Sequence, residues 1–148
     1  MSSILDNIEA LIPVGESFEL RVTGYSMLPM LGRGNDTIIV RRTTTTEPID
    51  GRIAMFRERD GHIVVHRVRS IANGIVTLMG DGNIKGTEHC PRERIVGVVE
   101  YVRRENGNVV SCTSRWWRTR EKMWLLTPLT IRRYTLALMR RLLNRKKR

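Results

Sequence analysis

Before residue 113 the chain is a succession of short apolar or alternating runs cut by glycine-bearing turns, with no segment able to carry a long helix. That punctuation constrains the fold more than any bulk property does. Phe18, Leu20 and Val22 alternate with Glu19 and Arg21, the period of a half-buried strand. Residues 37–41 and 53–57 read as further strands, and Asp60-Gly61 ends a hairpin turn into the valine-rich run 62–69. Alternation along that run places His62, Val64, His66 and Val68 on one face and Ile63, Val65, Arg67 and Arg69 on the other. Ala72-Asn73-Gly74 turns the chain into residues 75–79, and residues 80–91 read as an irregular loop. Residues 95–102 and 109–112, joined by a turn at 105–108, bring the count to seven or eight strands. The pattern predicts an all-β body, a coiled, partly closed antiparallel sheet.

The two ends differ from this body. Ile4, Leu5, Ile8 and Leu11 recur at helical spacing ahead of Pro13, which predicts a short helix over residues 3–11 lying on one end of the core. The formal charge of +11 arises wholly from residues 113–148, which hold 12 basic residues against Glu121 alone. All three tryptophans, Trp116, Trp117 and Trp124, stand there among Arg115, Arg118, Arg120 and Lys122. Residues 130–144 read as a basic amphipathic helix. The reading is thus a β domain over 1–112 and a basic tail over 113–148.

Such a tail is expected to meet an anionic membrane surface through Trp116, Trp117, Trp124, Arg133, Arg140 and Arg141. Packing of the tryptophans on the sheet is the alternative. Nucleic acid is disfavoured, because charge and aromatics stand there without a recognition fold. Residues 1–11 have no basic n-region or long apolar run, so no signal peptide is read, and no stretch approaches the 18 apolar residues of a spanning helix. The expected location is cytoplasmic, peripheral at the inner membrane surface. Cys90 and Cys112 are too few for a disulfide scaffold, and whether they pair stays open, as does the oligomeric state.

Chemistry is best sought at Gly24-Tyr25-Ser26-Met27-Leu28-Pro29, where an extended approach meets a proline-limited turn. A serine nucleophile needs a base. Lys85, Lys122, Lys146 and Lys147 all lie off the expected body strands, which disfavours a lysine. His66 stands mid-strand among valines, where packing can fix its ring. Taken singly, Ser26 can be a turn serine, His66 a satisfied buried histidine and Asp81 a plain turn residue. A metal centre and other cofactors are not expected, because His62 and His66, four apart on a strand, lie ~13 Å apart.

In order along the chain, Gly24-Tyr25-Ser26-Met27-Leu28-Pro29, Gly34-Asn35-Asp36-Thr37-Ile38-Ile39-Val40, Val64-Val65-His66-Arg67-Val68, Gly80-Asp81-Gly82-Asn83 and Ile95-Val96-Gly97-Val98-Val99 resemble the boxes of the signal-peptidase and self-cleaving-repressor superfamily of serine peptidases. The histidine in the third box resembles the archaeal and endoplasmic-reticulum branch rather than the lysine branch. The resemblance implies that Ser26 is the nucleophile, His66 the base and Asp81 the acid that orients it, with Glu88 as the nearest candidate for a second acid. It implies a serine endopeptidase acting on a leader or precursor peptide, with Met27, Leu28 and Pro29 lining the substrate groove. The alternative is an idle peptide- or partner-binding module of the same fold, tethered by its tail.

Overall fold

The computed structural model describes residues 7–32 and 35–148. The first helix is seen as α1 (Ile8–Leu11), and the part of the expected helix at 3–6 lies outside the described residues, as do residues 33–34 of the turn after Leu31. Eight strands follow: β1 (Ser17–Arg21), β2 (Thr37–Arg42), β3 (Ile53–Arg57), β4 (Ile63–Ala72), β5 (Ile75–Met79), β6 (Glu88–Pro91), β7 (Ile95–Arg103) and β8 (Val109–Ser111). Two helices close the chain, α2 (Arg115–Leu126) and α3 (Leu129–Lys146).

The strands form one antiparallel sheet in the order β1-β2-β7-β3-β4-β5-β6, with β8 beside β7. The sheet stays open, with β1 paired only to β2 and β6 only to β5 among the described residues. The mostly β body is as expected. Residues 88–91, read from the sequence as loop, form β6, a one-sided edge strand that tolerates Pro91.

Central strands are buried on both faces, which explains their near-continuous apolar sequences. In β3, Ile53 and Met55 enter one cluster with Met27, Ile38 and Val99, whereas Ala54 and Phe56 enter a second with Val68, Leu78 and Val98. The outermost strand, β1, instead alternates exposed and half-buried residues. A third cluster joins Leu28 to Trp124 and Leu136, tying the terminal helices to the loop that carries Ser26.

Helix α2 begins where the Ser114 side chain accepts a hydrogen bond from the Trp117 amide at 3.2 Å, a cap that contributes about 1 kcal/mol. Trp117, Glu121 and Trp124 then recur at helical steps on its inner face. Trp117 is fully buried in the first cluster and Trp124 lies in the third. The expectation that these two tryptophans meet a membrane is overturned. Each ring gains more from the core, where 150–250 Å² of aromatic surface leaves water, and only Trp116 remains outside, at 56% exposure. Cys90 and Cys112 are buried and unlinked, and burial pushes the Cys112 thiol up to about 12.

Candidate active site

Ser26 sits in the turn after β1, half-buried, and its hydroxyl makes no hydrogen bond within the described residues. The turn is held by main chain, with Leu28 N–H donating to the Tyr25 carbonyl at 3.2 Å and Leu31 N–H to the Met27 carbonyl at 2.9 Å. A second loop, residues 80–83, packs directly on it. Gly82 N–H donates to the Ser26 carbonyl at 2.8 Å, and the Asp81 amide approaches Met27 Sδ at 3.4 Å.

This contact needs glycine. A Cβ on Gly80 would stand 2.3 Å from the Ser26 carbonyl oxygen, and one on Gly82 would stand 2.4 Å from that of Tyr25. Both obstacles are backbone atoms. Gly82→Ala is therefore expected to push the two loops apart and to lower stability by about 1–3 kcal/mol, as overpacking does. A thermal melt measures it, and an unchanged midpoint would mean that the loops are not in close contact.

His66 lies on β4 opposite Ala54, on the face that also carries Val64. The residue is 5% exposed, and its ring stands 6.1 Å from the Phe56 ring, centroid to centroid. Nδ1 lies 2.9 Å from Glu88 Oε2, contributed by the first residue of β6. Nε2 has no hydrogen bond within the described residues.

The expectation that Asp81 orients this imidazole is not met. Asp81 is 5% exposed, and its two oxygens take Arg67 Nε and an Arg67 terminal nitrogen, each at 2.7 Å. The other terminal nitrogen of Arg67 donates to the Gly51 carbonyl at 2.9 Å and meets Glu121 of α2 at 3.0 Å. Burial alone would lower the Arg67 pKa, but the hydrogen bonds and charges of Asp81 and Glu121 outweigh it and raise it above its usual value. Trp124 Nε1–H donates to the Asp81 carbonyl at 2.9 Å, so α2 caps this buried ion group. Strand alternation explains the division: Arg67 points to the opposite face from His66, and Asp81 follows Arg67. The carboxylate that does reach His66 is Glu88, the candidate second acid, delivered by the β5–β6 pairing of Leu78 with Glu88.

The register also explains why Ser26 comes near this strand. Arg67 pairs with Met79, the last residue of β5, so the next residue, Gly80, leaves the sheet where that pairing ends, with the Ser26 carbonyl against it. Because β4 meets β5 only from Arg67 onward, residues 63–66 present an edge with no strand paired to it among the described residues. A cleft of about 180 Å³ is lined by residues of that edge and of the end of β1, with Ser26, Met27, Leu20, Val22, Ile38 and Val65 among its walls. Of the three expected groove residues, Met27 alone lines it. Leu28 is fully buried beneath Trp124 and Leu136, and Pro29 is buried too.

No hydrogen bond joins Ser26 Oγ to the His66 ring, and Glu88 opens onto a separate cleft with Phe56 and His89. Among the described residues no helix is long and apolar enough to cross a membrane. The family model described as Peptidase S24-like matches residues 5–100, a span that holds Ser26, His66, Asp81 and Glu88 and leaves α2 and α3 outside. No curated protein matches the chain.

Proposed function

Because the chain belongs to the Peptidase S24-like family, we propose that it is a serine endopeptidase with Ser26 as nucleophile, His66 as general base and Glu88 as the carboxylate that holds the imidazole. The observation that carries this reading is the 2.9 Å contact between Glu88 Oε2 and His66 Nδ1, with Nε2 left uncommitted. A carboxylate at Nδ1–H selects the tautomer whose Nε2 lone pair can accept a proton, and stabilises the imidazolium once it forms. Ser26 Oγ attacks the scissile carbonyl as His66 Nε2 takes its proton, and the proton then passes to the leaving amine. Water releases the acyl group by the reverse sequence. Bonds between nucleophile and base are often long without substrate and tighten in its presence.

The substrate is an extended peptide, in a leader or precursor chain. The edge of residues 63–66 offers main-chain hydrogen bonds for strand addition. The small apolar cleft selects short aliphatic side chains next to the scissile bond.

A fluorophosphonate probe, which phosphonylates activated serines, tests the reading. Mass mapping of the labelled protein is expected to place one adduct on Ser26, with Ser26→Ala unlabelled and unable to cleave peptides. The separate clefts of Ser26 and Glu88, and the missing bond between Ser26 and His66, favour a second reading, an idle peptide-binding module. An inert Ser26 in a protein that still binds extended peptides decides for that one.

A further inference from the structure

Helices α2 and α3 each carry two apolar faces, and only one of them is used by the fold. Inward, Trp117, Trp124 and Leu136 join the buried clusters. Outward, α2 presents Trp116, Met123 and Leu126, and α3 presents Ile131, Leu138 and Leu142, all between 55% and 83% exposed. The spacings 116-123-126 and 131-138-142 keep each set on one side of its helix. Of the thirteen large hydrophobic side chains exposed among the described residues, eight lie on this hairpin. That concentration is what a docking surface shows, and scattered exposure does not.

Charge selects the partner. Residues 113–148 hold 12 basic residues, and their one acid, Glu121, is turned inward onto Arg67 and Trp117. Arg115, Arg118 and Lys122 on α2 and Arg133, Arg141 and Arg145 on α3 are exposed around the apolar stripe. We infer that the outer face of this hairpin docks on an anionic lipid bilayer, with the stripe at the acyl boundary and the arginines among the headgroups. A nucleic acid has no use for exposed leucine and isoleucine, and a second copy would set two strongly basic segments against each other.

The same helix grips the Ser26 loop from its other side. Tyr25 Oη–H donates to Asn144 Oδ1 at 2.8 Å, and Arg140, expected at the membrane, reaches back to the Gly82 carbonyl at 3.2 Å. Docked, α3 holds the nucleophile loop within about one helix diameter, ~10–12 Å, of the headgroup plane. That consequence for catalysis rests on the proposed peptidase activity, but docking does not.

Co-sedimentation of the full chain with vesicles tests it, using phosphatidylcholine alone and phosphatidylcholine with phosphatidylglycerol. Binding to the anionic vesicles is expected to be stronger by roughly tenfold or more and to weaken with salt. Leu138→Glu with Leu142→Glu should abolish it while leaving the melting curve unchanged, because both side chains face solvent. Ser26→Ala should bind as the native chain does, which separates failure of docking from failure of catalysis. Three results overturn the inference: equal binding to both vesicles, tighter capture by duplex DNA that survives the Glu variants, or lipid-free self-association that those variants abolish.

Discussion

Removal of the Asp81 carboxylate, as in Asp81→Ala, is expected to destabilise the protein by about 3–5 kcal/mol, the cost of leaving a buried charge without its partner. Both side chains of the Arg67–Asp81 pair are about 1% exposed, so the guanidinium left behind has no water to turn to. Glu121 offsets only part of the loss, because it meets a different Arg67 nitrogen and is itself bonded to Trp117. Against a typical stability of 5–15 kcal/mol this is a large fraction. Urea denaturation measures it. The double variant Arg67→Met with Asp81→Leu should lose less than the single one, since a buried pair replaced by apolar groups of similar size costs little. If instead Asp81→Asn leaves stability intact and removes activity, Asp81 belongs to the chemistry and the assignment of Glu88 is wrong.

The second large effect is on rate. His66→Gln keeps a donor for Glu88 and much of the volume beside Phe56 but cannot act as a base near neutral pH. It is expected to lower kcat for peptide cleavage by about 10²–10⁴-fold, the range of general-base catalysis, with its melting midpoint close to that of the native chain. Glu88→Gln should give a smaller loss in kcat with little change in KM, because it acts through the imidazole and touches no substrate. Retention of the native rate by His66→Gln removes His66 from the mechanism.

Much of this molecule is readable from local pattern. The alternation of β1, the Asp-Gly turn before β4 and the apolar continuity of β7 each reflect the period of a pleated strand, which neighbours do not change. The β6 strand was not legible, because Glu88-His89-Cys90-Pro91 has no alternation of its own and becomes a strand only by pairing with β5. Nor was the orienting acid. Asp81 and Glu88 are both acidic residues in the stretch after β5, and nothing local says which carboxylate turns to His66 and which to Arg67. The signal that bears on it is parity: Arg67 follows His66 directly, so their partners must lie on opposite faces of the sheet. Trp117 and Trp124 were likewise ambiguous, since a tryptophan among arginines suits an interface or a core until the helix is docked.

The amino-acid sequence by itself determined the β body, the turn that carries Ser26, the strand position of His66 and the segregation of charge into residues 113–148. Each of these follows from periodicity, turn chemistry or composition within a few residues. Only the tertiary structure decided that Glu88 meets His66 while Asp81 is consumed by Arg67, and which tryptophans face inward. Those outcomes depend on register and packing between segments far apart in the chain, and a side chain's partner is chosen there by geometry and desolvation, which no local pattern encodes.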